Sequence, residues 1–133
     1  MRLSLLAAVI ALACVTAAPG ADPARGKALY DARCGGCHTI AENGPGPRHQ
    51  GLFGCRAGTQ PGYAYSEALR VSGIVWNDAM LDRWLADPNA LVPGNAMVVQ
   101  LAPLATERVD LIAFLRTAAQ GPRTCRRSNA PTP

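Results

Sequence analysis

The stretch from Arg33 to Ile40, RCGGCHTI, places two cysteines and a histidine within five consecutive positions. Cys34, Cys37 and His38 form the pattern C-x-x-C-H, which is typical of covalent haem attachment. Two thiols three residues apart at the end of a helix can reach one edge of a planar ligand and form thioethers to its two vinyl groups. His38 would then place an imidazole nitrogen beneath the iron. The stretch therefore predicts one covalently attached haem c.

Two other chemistries use part of this pattern. A thioredoxin-like dithiol also contains C-x-x-C, but it belongs to a βαβ unit that this sequence does not predict. A zinc site needs further ligands, and the remaining candidates, His49, Cys55 and Cys125, are scattered without the spacing of a zinc knuckle. Haem is favoured because a histidine directly follows the second cysteine.

The N-terminal stretch is expected to be a secretory signal peptide. Arg2 precedes the apolar run LSLLAAVIALACV, which is too short to span a bilayer comfortably, and small residues then allow cleavage after Ala17. We assign residues 1–20 to this segment, with an approximate cleavage site, and expect export to the periplasm and no membrane span in the mature chain. Two alternatives stay open, a buried N-terminal helix and a lipoprotein signal that would modify Cys14.

The charge of the chain does not indicate a nucleic-acid partner. The sequence has 13 Lys and Arg against 9 Asp and Glu. The excess comes from Arg2 and from three arginines near the C-terminus, Arg123, Arg126 and Arg127, so the body of the chain is formally neutral. No basic stripe follows any predicted element, and nucleic-acid binding is not expected.

Apolar residues recur at helical spacing, and no run alternates for long enough to form a strand. The sequence therefore predicts an all-α domain. Helices are expected in PARGKALYDARC (23–34), in SEALRVSG (66–73) with Ser66 as N-cap, after the N-cap Asn77 as far as Asp87-Pro88, and after the N-cap Thr106. The apolar face of the last helix should comprise Val109, Ile112, Leu115, Leu111, Phe114 and Ala118.

Long loops are expected between these helices. The stretches 42–54, ENGPGPRHQGLFG, and 89–97, NALVPGNAM, are rich in glycine, proline and asparagine. Loops of this length in so small a domain need something to pack against. A large, flat, apolar cofactor would supply the missing core.

Three residues could provide the sixth ligand to the iron: Met80, Met97 and His49. Met80 lies on the apolar face of its predicted helix, where core packing is the simpler explanation. His49 lies in a polar loop close to the proximal side, where a solvated histidine is the simpler explanation. Met97 lies in an irregular loop that can fold over a cofactor, and we favour it.

Motifs along the chain add to the attachment pattern. In order they are Gly26 and Tyr30, CGGCH, Gly46-Pro47, GLFG (51–54), PGYAYSEAL (61–69), GIVW (73–76), PGNAM (93–97) and TERVDLIAFL (106–115). Each alone is a weak signal, but in this order and spacing they resemble the class I c-type cytochromes, the soluble mitochondrial and bacterial cytochrome c family. The resemblance runs from Ala24 to about Ala119, and we expect the domain over residues 21–120.

The resemblance implies a role for each matching residue. The haem would be wrapped by the helices and long loops of a class I cytochrome c fold, with Gly26 and Tyr30 allowing the first helix to cross the last. The implied roles are thioether attachment for Cys34 and Cys37, axial ligation for His38 and Met97, a carbonyl acceptor for the His38 ring at Pro47, and donors to a haem propionate at Tyr65 and Trp76.

The resemblance also implies a mono-haem electron carrier and not an enzyme. With a histidine and a thioether both bound, the iron has no open position for a substrate. The implied partners are redox proteins, a donor reductase or dehydrogenase and an acceptor oxidase or reaction centre, and we expect a monomer. Two alternatives stay open: a peroxidase-like haem enzyme if Met97 dissociates, and a haem subunit or module of a dehydrogenase or oxidase complex.

Two cysteines depart from the family pattern. Cys55 follows GLFG, where the family usually has an arginine that helps to hold a propionate, and Arg56 comes one residue later. Cys125 lies in a C-terminal extension, residues 121–133. Because the haem takes two of the thiols of the exported chain, we predict a Cys55–Cys125 disulfide that ties the extension across the propionate side. Two unrelated thiols are the alternative.

The face that meets redox partners is expected to be mainly apolar and weakly basic. The stretches 87–94, DPNALVPG, and 94–105, GNAMVVQLAPLA, contain no lysine. Lys27 is the only lysine in the sequence, and Arg33 stays beside the first attachment cysteine. Trp84 stands where the family commonly has a tyrosine near the distal methionine, and it should make the haem pocket drier, pack in the helix core, or both.

Overall fold

The computed structural model describes residues 20–97, 99, 102 and 104–125. Helices make up the regular structure of this part: α1 (Pro23–Arg33), α2 (Glu67–Val71), α3 (Asp78–Ala86), α4 (Pro88–Leu91) and α5 (Ala105–Ala118). These residues form no strand, and an isolated antiparallel bridge joins Arg56 to Val75. The all-α prediction is confirmed.

Some predictions concern residues that the structure does not describe. Residues 1–19 of the predicted signal peptide, including Cys14, lie outside the described ranges, and so do Arg126 and Arg127. Within those ranges, no helix combines the length and the apolar character needed to cross a bilayer.

Two helices begin at the predicted capping residues. The Ser66 hydroxyl accepts a hydrogen bond from the amide of Leu69 at 3.3 Å before α2, and the Asn77 side chain accepts one from the amide of Met80 at 2.8 Å before α3. Each side chain satisfies an amide that has no partner within its own helix. Gly73 follows the end of α2 with a φ of +71°, which favours glycine.

The predicted start of α5 is wrong. The helix begins at Ala105, and its N-cap is Leu104, which makes no side-chain capping hydrogen bond. The amide of Arg108 donates to the carbonyl of Leu104 at 3.1 Å. Thr106 therefore lies inside the first turn and cannot act as the N-cap.

The prediction that residues 89–97 form a loop throughout is also wrong. The side chain of Asp87 accepts hydrogen bonds from the amides of Asn89 and Ala90, each at 3.0 Å. Pro88 occupies the first helical position, where its fixed φ and missing N–H are compatible with a helix. The residues that end α3 therefore also begin the short helix α4, and the irregular segment starts only at Val92.

Helices α1 and α5 cross in close contact at Gly26. A Cβ atom at this position would collide with the backbone of Asp110 and lie 2.9 Å from the Cβ of Phe114. One turn further along α1, the ring of Tyr30 packs against that of Phe114 with centroids 5.2 Å apart. The predicted close crossing through Gly26 and Tyr30 is confirmed, and it places the end of α1 beside the core.

The apolar face of α5 differs from the prediction at one position. Val109 is 47% exposed, whereas Leu111 is fully buried. Asp110, which directly follows Val109, is buried in its place. Its carboxylate accepts hydrogen bonds from the amide of Asp22 at 2.7 Å and from Nε of Arg25 at 2.7 Å. The Arg25 guanidinium, through this hydrogen bond, is the main cause that lowers the pKa of Asp110.

The chain beyond α5 returns across the loop that precedes α2. We call residues 120–125 the strap. At its start the amide of Gly51 donates to the carbonyl of Ala119 at 2.8 Å, and at its end a disulfide joins Cys55 to Cys125, with the Cα atoms 5.7 Å apart. A Cβ atom on Gly51 would lie 2.8 Å from the carbonyl oxygen of Pro122, so the strap lies directly on this loop.

Candidate haem-binding site

A cavity of about 390 Å³ lies between the helices and the loops. The end of α1, the loop over residues 45–60, helix α3, the segment over 95–99 and helix α5 all contribute side chains to its lining. Most of the wall is apolar, and it includes Leu52, Leu69, Trp76, Leu81, Trp84, Leu85, Leu111 and Leu115. The side chains that form the core therefore also form a concave apolar site.

The attachment motif forms a tight turn where α1 ends. The amides of Cys34 and Gly35 both donate to the carbonyl of Tyr30, at 2.8 and 2.9 Å, and the amide of His38 donates to the carbonyl of Cys34 at 2.8 Å. Cys34, Cys37 and His38 all line the cavity. Cys34 is buried and Cys37 is exposed, so the two thiols lie at the margin of the cavity.

The ring of His38 is held from two sides. Its Nδ1 lies 2.7 Å from the carbonyl oxygen of Pro47. A carbonyl can only accept, so Nδ1 carries the proton and Nε2 keeps its lone pair. A Cβ atom on Gly46 would lie 2.7 Å from Nδ1 and 2.8 Å from Nε2, so only glycine lets the backbone approach the ring this closely. The tautomer and the orientation are both those that an iron ligand needs.

The structure changes the interpretation of His49. Its ring stacks on that of His38, with centroids 4.5 Å apart and planes inclined by 20°. Its Nδ1 lies 3.0 Å from the hydroxyl of Tyr30. Burial, and then the neighbouring His38, lowers the pKa of His49 to about 3, so the ring is neutral near pH 7. The view of His49 as a solvated loop histidine is wrong. It lies beside His38, on the same side of the site.

The segment that carries Met97 is held by a buried asparagine. The amide of Met97 donates to Oδ1 of Asn95 at 2.7 Å, and Nδ2 of Asn95 donates to the carbonyl of Val92 at 2.8 Å. Asn95 is only 5% exposed. Met97 lines the cavity, whereas Met80 packs against the apolar core from the side of α3. Asn95 was not among the residues predicted from the sequence, although an asparagine two residues before a loop methionine is a recognisable Asx-turn signal.

Polar side chains also line the cavity, among them Arg48, Arg56, Tyr63 and Tyr65. The rings of Tyr63 and Tyr65 meet edge to face, with centroids 4.8 Å apart. Burial, followed by the neighbouring Tyr63, raises the pKa of Tyr65 to about 12, while the charge of Arg48 opposes this shift. Tyr65 is therefore a neutral hydrogen-bond donor near pH 7. Tyr65 and Trp76, both singled out from the sequence, line the same cavity.

The residues present fit a haem. Two thiols and an imidazole line one cavity, and most of its wall is apolar. Arg48 Nε is the buried side-chain polar atom without a hydrogen-bond partner in the described part of the chain, and the Arg48 side chain lines the cavity. The described residues contain no cluster of three His, Cys, Asp or Glu side chains, so the zinc alternative has no ligand set among them.

A helical fold around an apolar cavity, with C-x-x-C-H at its margin, is the architecture of a c-type cytochrome. A family model described as cytochrome c matches residues 23–119. The chain belongs to this family.

Several known proteins are similar to the chain. Cytochrome c of Euglena viridis is 40% identical over 98 residues, which cover 72% of this chain and 96% of that protein. Cytochrome c2 of Rhodopila globiformis is 41% identical over 102 residues, which cover 75% of this chain and 96% of that protein. The solved structure of cytochrome cH from Methylobacterium extorquens is 42% identical, with a TM-score of 0.69, over 72% of this chain and 98% of that one.

Membership of the family defines the class of function. The chain is a class I c-type cytochrome with one covalently attached haem c, and it is a mono-haem electron carrier and not an enzyme. The predicted family, fold class and cofactor are confirmed.

Replacing Asn95 by alanine should destabilise the segment that carries Met97. The change removes the hydrogen-bond partner of the Val92 carbonyl and of the Met97 amide. We therefore expect the free energy of unfolding to fall by about 1–3 kcal/mol. Chemical denaturation of the haem-loaded protein measures this, and amide exchange at Met97 should become faster. Asn89→Ala, on the exposed side of α4, should change stability by less than about 0.5 kcal/mol. Equal stability and equal exchange in the two variants would contradict the role of Asn95.

Proposed function

We propose that this cytochrome carries single electrons in the periplasm, with His38 and Met97 as the axial ligands of its haem iron. The observation that carries the proposal is the placement of His38 and Met97 around one apolar cavity, with Nδ1 of His38 bound to the Pro47 carbonyl at 2.7 Å. The bound haem supplies an iron that changes oxidation state by one electron.

His38 acts through its fixed ring. The hydrogen bond to Pro47 keeps the proton on Nδ1, so Nε2 is the atom that would bind the iron. The backbone at Gly46 lies against the ring of His38, and the ring of His49 stacks on that of His38. A ligand held on three sides changes position little when the charge of the iron changes. The energy needed to reorganise the site during electron transfer is therefore small.

Met97 supplies a neutral thioether and closes the site. Its segment is held by Asn95, so the sulfur does not depend on the side chain alone for its position. A thioether stabilises ferrous more than ferric iron and raises the reduction potential. With His38 and Met97 both bound, the iron would have no coordination site for a substrate, which agrees with a carrier.

The remaining roles concern attachment and orientation. Cys34 and Cys37 would form the thioethers, and the turn at the end of α1 brings both to the same margin as His38. Tyr65 and Trp76 would donate to a haem propionate, because both line the cavity and carry a donor that is neutral near pH 7. Trp84 packs edge to face on Trp76, with centroids 5.4 Å apart, and helps to keep water from this part of the cavity.

The proposed location rests on two features. The apolar leader expected in residues 1–20 directs export, and the Cys55–Cys125 disulfide belongs to an oxidising compartment. The donor would then be a periplasmic reductase or dehydrogenase and the acceptor an oxidase or a reaction centre, with the cytochrome as a monomer that moves between them.

The docking face would be largely apolar. Val99, which lines the mouth of the cavity, is 47% exposed, and Leu104 is 60% exposed. The nearest basic residue in sequence to the attachment site, Arg33, forms two hydrogen bonds of 2.7 Å with the carboxylate of Glu107, which offsets its charge. A face of this kind gains little from long-range attraction to an acidic partner.

Replacing Met97 by alanine tests the ligation directly. The ferric protein should lose the charge-transfer band of methionine-ligated haem, and the ratio of reduced to oxidised protein at the original midpoint should fall by more than about tenfold, roughly 59 mV for one electron. Absorption spectra and redox titration measure both. Met80→Leu, a volume-conserving change in the core, should keep the band and the potential. A wild-type ferric spectrum that lacks the band at neutral pH would indicate an open iron and contradict the proposal.

Reduction by a partner should depend weakly on salt. The reductant would be a periplasmic reductase that co-purifies with the protein. We expect its second-order rate of reduction of this cytochrome to change by less than about threefold between roughly 20 and 200 mM ionic strength, because no cluster of lysines steers the encounter. Stopped-flow kinetics measures the rate. Val99→Lys should make the rate more dependent on salt, which shows that the assay can detect steering. A steep fall for the wild type would refute the apolar docking face.

A further inference from the structure

The geometry points to the strap as a part of the haem site: Thr124 holds the guanidinium of Arg48 against a haem propionate, and the strap thereby raises the reduction potential. This inference rests on the haem and on the orientation of its propionates in the proposed function, and it does not depend on the identity of the axial ligands. It adds Arg48 and Thr124 to the residues that the sequence indicated.

Arg48 is a half-buried arginine that brings a donor without a partner to the cavity wall. Its Nε is shielded from solvent and has no hydrogen-bond partner among the described residues, although the side chain lines the cavity. A guanidinium is always charged, and an unpaired buried N–H is costly. No aspartate or glutamate is found among the described residues that line the cavity. A haem propionate supplies the carboxylate that this donor lacks.

The other cavity arginines fit this role less well. Arg56 also lines the cavity, but it is exposed. Arg33 already binds the carboxylate of Glu107 through two nitrogens. Among these three, Arg48 is the one with a shielded nitrogen that lacks a partner, and its charge also acts on Tyr65.

The strap determines where this guanidinium points. Nη2 of Arg48 donates to the hydroxyl oxygen of Thr124 at 2.9 Å, and the Thr124 hydroxyl donates to Oε1 of Gln60 at 2.8 Å. Gln60 is 6% exposed, and its Nε2 donates to the carbonyl of Gln50 at 2.7 Å. One nitrogen of Arg48 is thus fixed by the strap, and Nε still lacks an acceptor.

Two anchors keep Thr124 in place. The disulfide fixes the next residue, Cys125, to Cys55, and the bond from the Gly51 amide to the Ala119 carbonyl fixes the other end of the strap. The strap therefore positions Arg48 through a chain of hydrogen bonds. Thr124 is a positioning residue in this scheme.

The electrostatic consequence has a definite sign. Oxidation of the haem adds one positive charge, and a propionate carboxylate stabilises that charge. A guanidinium bound to the propionate offsets the carboxylate, so it disfavours the ferric state and raises the potential. Loss of Arg48, or release of its guanidinium from Thr124, should lower the potential.

Redox titration of the haem-loaded Arg48→Gln variant tests the inference. At the wild-type midpoint, the ratio of reduced to oxidised protein should fall by about threefold, roughly 28 mV for a one-electron couple. In the Arg48→Lys variant this ratio should fall less, because lysine keeps the positive charge. Arg83→Gln removes an equal charge from an exposed position on α3 and should change the ratio by less than about 1.3-fold.

The strap is tested by Thr124→Val and by the paired change of Cys55 and Cys125 to alanine. Each change should lower the ratio of reduced to oxidised protein, as Arg48→Gln does, but by a smaller factor. Neither change should lower this ratio further when it is combined with Arg48→Gln. Thr124→Val also keeps the test available if Arg48→Gln does not fold. The absorption spectrum should stay unchanged in every variant, which separates this outcome from a failure of axial ligation.

Three results would overturn the inference. The first is an unchanged potential in Arg48→Gln. The second is a larger shift in Arg56→Gln than in Arg48→Gln, which would assign the propionate to Arg56. The third is a full additional shift from Thr124→Val when Arg48 is already glutamine, which would show that the strap acts by another route.

Discussion

The apolar core of this protein is built around a cavity of about 390 Å³. Each apolar side chain on the cavity wall has one side without atoms to pack against, so it loses part of the dispersion contacts that a filled core provides. The covalently attached haem is therefore the centre of the hydrophobic core as well as the redox group.

The rest of the architecture serves to hold that group from several directions. The crossing of α1 and α5 at Gly26 positions the turn that carries the attachment cysteines. The Pro47 carbonyl orients the imidazole of His38. Asn95 holds the segment on which Met97 lies. The disulfide ties the strap to Cys55 in the cavity wall. Each of these supports is a backbone contact, a hydrogen bond or a covalent bond, so none depends on the packing of a flexible side chain alone.

Local signals in the sequence were sufficient for the class of fold, the cofactor and most helix starts. The C-x-x-C-H motif is contiguous, and Ser66 and Asn77 cap their helices through amides only three residues away. Thr106 failed as a cap because an apolar residue, Leu104, occupies that position. Val109 was predicted to lie on the apolar face of α5 but is exposed. The reason is tertiary, since hydrogen bonds from Asp22 and Arg25 hold the neighbouring Asp110 on the buried side.

Other parts of the site could not be predicted because they depend on contacts between distant residues. Arg48 and Thr124 are separated by 76 positions, and no local pattern relates them. His49 looked like a solvated residue because it lies in a polar loop, yet the fold stacks it on His38. The carrier class follows from the motifs, whereas the contacts that we propose to tune the haem arise only in the tertiary structure.

The most direct test of this account is the thermal unfolding of the chain with and without its haem, followed by circular dichroism. We expect a cooperative transition in the haem-loaded protein. The haem-free chain should show none, because the apolar walls then have nothing to enclose. A haem-free chain that unfolds cooperatively, with a midpoint close to that of the haem-loaded protein, would show that the polypeptide forms its own core and would contradict the central claim.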